Sequence, residues 1–353
     1  MIGLVRINRG RNNADKRNGW IDYVTKRFVM MLTALIALCA PAAAETYLLS
    51  TGGPPNHPWG FGARYWAERV AQRTEGRIVF NVVPDLPQAG IDGDDEFAAL
   101  AAGRIDAAVG SSLAWSGDVP SLALFALPCL IDGPGDLEAL VTSPLGSALF
   151  EDVRALGVEP LAWGDAGAWA IAARTGPLTQ SRDLAGLTLR APAYPPLGEA
   201  LMVLGVDPIA ADLRLALTQA RLGMIDGIMA RLADLAAASR PPDGYDTWTV
   251  WPCVAEPLVL AVNRDLWLSW SLQDRTAVAQ AALEAGVVQA RRARGLVQPD
   301  APWMQVAGIR LVRFTPDEAA TLSLELSHIR ARWGLLVGPD LVLEAQQTLL
   351  TPH

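Results

Sequence analysis

With 353 residues and 51% apolar side chains, the chain is long enough for two hydrophobic cores and too apolar for a disordered segment. Its formal charge is −8, and no lysine follows Lys26, which argues against a nucleic-acid-binding surface. Seven of the 29 basic residues and two of the 37 acids fall in residues 1–44, leaving 22 arginines against 35 carboxylates beyond them.

Lys26-Arg27, the apolar run from Phe28 to Cys39 and the small residues Ala42-Ala43-Ala44 have the order of a secretory signal. Residues 1–44 are therefore read as a leader and the remainder as an exported, periplasmic chain. A retained N-terminal anchor is the rival reading. Cys129 and Cys253 then remain, both in apolar surroundings. In an oxidising compartment they could pair, but sequence supplies no distance between them, and buried free thiols are the expectation.

From Glu45 the pattern reads strand, helix, strand, the mark of a parallel sheet. Pro58 opens the helix, and Trp59, Ala63, Trp66 and Val70 recur on one face of it. A helix near 94–102, a strand over 105–109, one helix over 137–156 and a strand over 158–163 follow. Gly164-Asp165-Ala166-Gly167 marks a first crossing between lobes. Strands near 169–173 and 187–190, a helix from Leu197 ended by Gly205, a helix over 212–222, a strand over 224–229 and a helix over 231–239 form the next run. The stretch 240–245 reads as a loop. Extended segments over 248–254 and 258–262 flank Pro257, a second crossing. One long Ala-rich helix is expected from Asn263 to about Gly295. Thr315-Pro316-Asp317-Glu318 has the form of a capping box with proline at the first helical position.

Enzyme signatures are scarce. Three histidines, His57, His328 and His353, cannot form a zinc set with these cysteines, and no Gly-x-Ser-x-Gly elbow occurs. Gly60-Phe61-Gly62 lacks the third glycine of a dinucleotide loop. No catalytic residue, metal site or cofactor is expected. Arg190 ends a short strand where open α/β sheets present binding groups, and its guanidinium fork suits a carboxylate, although position alone favours a surface or ion-paired arginine.

The run from Gly186 to Pro208, with Gly186-Leu187-Thr188-Leu189-Arg190-Ala191-Pro192 at its head, resembles the signature of the substrate-binding proteins of TRAP (tripartite ATP-independent periplasmic) transporters. The match runs ungapped to Asp226-Gly227. His57-Pro58, Thr74-Glu75-Gly76-Arg77 and Asp274-Arg275 resemble further family positions, and the resemblance covers nearly all of residues 45–330. It implies a two-lobe α/β fold like that of periplasmic binding proteins, with hinge-crossing strands and a long bracing helix. Lobe 1 would comprise 45–167 plus 256–295, and lobe 2 would comprise 168–255 plus 296–353. It also implies capture of an organic acid, with Arg190 clamping the carboxylate, and delivery to integral-membrane permease subunits. A sensor or accessory interaction module of the same fold is the alternative, and an exported enzyme the third.

Departures from the family pattern shape the expected pocket. Gly167-Ala168-Trp169 stands where the family often has Gly-Phe-Arg, and Asp226-Gly227-Ile228-Met229-Ala230 replaces Asp-Gly-Gln-Glu-Asn. Leu213 and Leu215 replace an aromatic and a glutamate. A monocarboxylate, or a carboxylate with a bulky apolar body, is therefore expected, with dicarboxylates and sialic-acid-type polyols disfavoured. Trp169, Trp115, Trp163, Leu213 and His57 are candidate lining residues beside Arg190. His57 is read as ordering its loop more than touching ligand.

Overall fold

The computed structural model describes residues 45–84, 86–87, 95–237, 243–298 and 301–351. The leader at 1–44, the loop positions 240–242 and His353 lie outside the described residues.

β1 (Glu45–Thr51), α1 (Pro58–Arg73) and β2 (Ile78–Val83) form the β-α-β unit, with β1 and β2 parallel. Trp59, Ala63, Trp66 and Val70 are all buried, as their spacing requires. α2 (Glu96–Ala101) leads to β3 (Ala107–Ser111), and the apolar run after Val119 coils into a 3-10 helix over Pro120–Ala126. The helix expected over 137–156 is two, α3 (Pro134–Thr142) and α4 (Pro144–Ala155). Pro144 lacks the N–H that a continuous helix needs and keeps Ser143 extended, at φ −80° and ψ 173°. β4 (Val158–Asp165) and β5 (Trp169–Ala173) follow on either side of the first crossing.

β6 (Thr188–Ala191), α5 (Pro195–Val203) and β7 (Asp207–Ala210) make a second parallel crossover unit. Gly205 at φ +80° turns the chain from α5 toward β7, a conformation open to glycine at little cost. α6 (Leu213–Arg221), β8 (Gly227–Arg231), α7 (Leu232–Ala237) and β9 (Thr247–Trp251) complete that lobe's main run. β10 (Pro257–Asn263) then returns to the first sheet.

The long helix expected from Asn263 is interrupted, giving α8 (Arg264–Ser269) and α9 (Leu272–Gly295). Ser271 caps the second, its Oγ accepting from Asp274 N at 3.1 Å, while Trp270 is held extended with its ring 5.4 Å from Tyr47. α10 (Pro302–Ala307), β11 (Arg310–Val312), α11 (Pro316–Glu325), α12 (Ser327–Val337) and α13 (Pro339–Leu350) close the chain. The capping box at Thr315 and Glu318 is formed as read.

Two sheets result, ordered β2-β1-β3-β10-β4 and β11-β9-β5-β8-β6-β7. Each is covered on both faces. In the first, Leu258, Leu260 and Val262 pack under α1 and α9, while Val259 and Ala261 face α2, α3 and α4. In the second, Ile171 and Met229 meet α5 and α11, while Ala172 and Ile228 meet α6 and α10. Period-two alternation thus builds two separate cores from one chain, the two-lobe α/β fold.

Two segments join the sheets, 166–168 between β4 and β5 and 252–256 between β9 and β10. Gln289 of α9 pins the first. Its Oε1 accepts from Asp165 N at 2.9 Å and its Nε2 donates to Asp165 O at 2.8 Å. A disulfide pins the second, joining Cys253 to Cys129. This corrects the free thiols expected from sequence, since 124 positions separate two cysteines that the folded chain brings together. α12 spans the lobes as well. Arg330 Nη1 donates to Pro128 O at 2.9 Å, and Trp333 Nε1 donates to Glu199 of α5 at 2.6 Å. Residues 296–353 were assigned to the second lobe, yet α13 packs on α3 and α4 of the first, with Ala345 fully buried there.

Candidate functional site

Arg190 and Arg231 end neighbouring strands, β6 and β8, at the interface between the lobes. Arg190 is fixed by backbone. Its Nε donates to Ala211 O and its Nη1 to Met229 O, both at 2.8 Å. Among the described residues no carboxylate pairs with it, and no hydrogen bond engages its Nη2. Burial, and after it the charge of Arg231, lowers the pKa of this guanidinium.

Arg231 is compensated twice over. Its Nε and Nη2 donate to Glu256 at 2.7 Å each, and its Nη1 to Asp234 at 3.0 Å. Its guanidinium lies over the Trp59 ring at 4.6 Å and the Trp169 ring at 5.4 Å. Burial opposes the charge, but Glu256 and Asp234 outweigh burial and hold the group well above its usual pKa. Glu256 lies in the second crossing, is 1% exposed, and accepts from Ser111 Oγ of β3 at 2.5 Å.

A second contact joins the lobes. His57 Nδ1 accepts from Trp59 N at 3.2 Å and so caps α1, and its Nε2 lies 3.1 Å from Asp234 Oδ1. Burial would raise the Asp234 carboxyl, yet Arg231 and His57 together hold it below the usual value. Tyr194, the residue before α5, packs edge-on to Trp169 at 6.1 Å. Burial, then the Glu256 charge, pushes its hydroxyl up to about 12. Lobe 1 thus presents His57, Trp59 and Ser111, and lobe 2 presents Arg190, Tyr194, Trp169, Arg231 and Asp234, in contact across a closed interface.

Several buried polar atoms beside this cluster have no hydrogen-bond partner among the described residues. They are His57 Nε2, Trp59 Nε1, Trp169 Nε1, Thr51 Oγ1 and Ser112 Oγ. A buried group left so costs roughly 1–3 kcal/mol.

Of the residues expected to line a ligand, Arg190, Trp169 and His57 belong to this cluster. Leu213 opens α6 two positions after Ala211, whose carbonyl holds Arg190, and is half-buried against the second lobe's core. Trp115 and Trp163 make no ring contact with these residues among the described residues. Trp115 is fully buried in the first lobe, 5.3 Å from Phe97, with its Nε1 donating to Glu96 at 3.3 Å. Trp163 stacks on Phe150 at 4.3 Å. Asp226 of the altered Asp-Gly motif ties strands together, accepting from Thr188 N at 2.8 Å. Sequence reasoning missed Arg231, Asp234, Glu256, Trp59, Ser111 and Tyr194. A cavity of about 510 Å³ opens beside the two crossings, lined by Asp165, Ala168, Trp251, Glu256, Arg294 and Phe314.

Comparison with known proteins places this geometry. The DctP family profile, described as bacterial extracellular solute-binding protein family 7, matches residues 49–332. The chain belongs to that family. A TRAP periplasmic solute-binding protein from Ralstonia eutropha H16, solved with bound (S)-2-acetolactate, is 34% identical, with a TM-score of 0.79 over 86% of this chain and 98% of that one. The uncharacterized protein y4mM of Sinorhizobium fredii is 30% identical over 270 residues, 74% of this chain. That alignment spans only 48% of the S. fredii protein's own length. A solute-binding protein of Roseobacter denitrificans is 26% identical over 261 residues, covering 72% of this chain and 78% of the relative. As a family 7 solute-binding protein, the chain carries its arginine cluster where two lobes meet, and no described helix is long and apolar enough to cross a membrane.

Proposed function

We propose that the chain is a periplasmic receptor that captures a small organic monocarboxylate between its lobes and delivers it to a TRAP-type permease. One observation carries the reading: Arg190 is a partly buried guanidinium, oriented by two backbone carbonyls and paired with no described carboxylate. A cation so placed lacks its counter-charge until an anion arrives, and its geometry is already set for a bidentate partner. The 2-acetolactate held by the R. eutropha relative has one carboxylate, one hydroxyl and one ketone. Trp59 Nε1, Trp169 Nε1 and the hydroxyls of Thr51 and Ser112 are buried groups suited to such neutral oxygens.

In this reading 45–167 with 256–295 and 168–255 with 296–337 are the moving lobes, and α13 travels with the first. The ligand is bound without chemistry, so mass spectrometry is expected to recover it unchanged. Thermal-shift screening against a carboxylate panel tests the proposal. A ligand at 100 times its dissociation constant adds about 2.7 kcal/mol of stability, enough to read as a melting shift. The expected hit is a monocarboxylate whose shift disappears in Arg190→Ala. A hit of equal size in that variant would give Arg190 a structural role only.

A further inference from the structure

Arg231 ends the strand beside that of Arg190, three residues beyond Ile228, the register partner of Arg190, and its charge is felt at Arg190. Three of its N–H groups are committed to Glu256 and Asp234, and its charge lies over Trp59 and Trp169. The two arginines and two acids sum to zero, so each further negative charge brought into the closed interface adds to an excess of anion. Buried ion clusters of this kind contribute little net stability compared with apolar packing, so stability alone does not account for this one.

We propose that the Arg231–Glu256–Asp234 triad is the specificity determinant that limits this cleft to ligands with one carboxylate, by masking a cation that would otherwise take a second. The inference rests on Arg190 being the ligand's cation, as argued above. Glu256 dominates the masking. It is the bidentate partner, its side chain has no exposed area, and it is anchored from lobe 1 by Ser111. Asp234 holds the third donor and is itself held by His57. Removing one acid shifts the local charge by +1 while leaving the arginines in place.

A matched pair of ligands separates charge from size. 2-Acetolactate and 2-hydroxy-2-methylmalonate differ in that an acetyl group is replaced by a carboxylate of nearly equal volume. Calorimetric titration of wild type, Glu256→Gln, Asp234→Asn and Arg190→Ala with both compounds, at fixed ionic strength, reads the preference directly. Wild type is expected to prefer acetolactate by at least tenfold. In Glu256→Gln the ratio of dianion to monoanion affinity should rise at least tenfold, and Asp234→Asn should move it in the same direction. Acetolactate binding that is lost in Arg190→Ala, with the ratio unchanged in both acid variants, overturns the masking role and leaves the Arg190 reading standing. Wild type that binds the dianion as tightly as acetolactate also overturns the masking role. Because Asp234 is 21% exposed, its variant supplies the result if the buried glutamine destabilises the fold.

Discussion

Arg190 and Arg231 end adjacent strands, yet one charge is fully compensated and the other is not. The account therefore assigns them different sensitivities. Arg190→Ala should weaken ligand binding by about 2–5 kcal/mol, and Arg190→Lys should not restore it, because a point charge cannot replace a fork held by two carbonyls. Titration of both variants checks this. Asp234 makes a pH prediction. Its folded pKa is depressed below an unfolded value near 3.9, so its contribution to stability is complete above that range and is lost as pH falls through the folded value. Urea denaturation at pH 7 and pH 3 should show wild type losing more stability on acidification than Asp234→Asn; equal losses would contradict the pairing. Arg190 was legible from sequence because its strand-end position and motif coincide in one short stretch. Arg231 was not, since its partner Glu256 is 25 positions away and only folding brings them together. For Trp115, which closes a short helix, and Trp163, on β4, sequence gives no sign of whether an indole faces core or cleft.

At the scale of elements, breaks and pins carry the information. α1 and its buried face were readable because four apolar residues recur at helical spacing under a proline start. The splits at Pro144 and Ser271 were missed, although each has a local cause, a proline at the first helical position and a serine cap. Replacing Ser271 with Ala should cost about 0.5–2 kcal/mol, measured by chemical denaturation. α9 approaches β4 so closely that a Cβ on Gly286 would lie within 2.2 Å of Trp163 O. Gly286→Ala should therefore lower stability despite the better helix propensity of alanine, and an unchanged or raised melting temperature would contradict the packing. The sequence left pairing of Cys129 with Cys253 open and favoured free thiols, because pairing depends on a distance that only the fold supplies. Closing a loop of this length, it should contribute about 2–5 kcal/mol, and Cys129→Ser with Cys253→Ser should show that loss under oxidising conditions only.

At the scale of the molecule, two lobes, each with its own core, are joined by two short segments and spanned by α12, while α9 packs on the first lobe and holds the first crossing. That arrangement permits rotation about the crossings, with Gln289 and the disulfide holding the pivot in place. The contacts of His57 with Asp234 and of Arg231 with Trp59 join the two lobes, and in the proposed function a ligand that supplies the counter-charge to Arg190 would shift the population toward this closed form. The two-lobe plan was legible from the order of strands and helices. Which residues touch across the interface was not, because those contacts join separate parts of the chain. Small-angle X-ray scattering of wild type and Arg190→Ala, each with and without a saturating monocarboxylate, tests the central claim most directly. The account predicts that ligand reduces the radius of gyration of wild type and leaves that of Arg190→Ala unchanged. A tightly bound ligand that compacts neither protein, or compacts both equally, would contradict capture by Arg190 through closure.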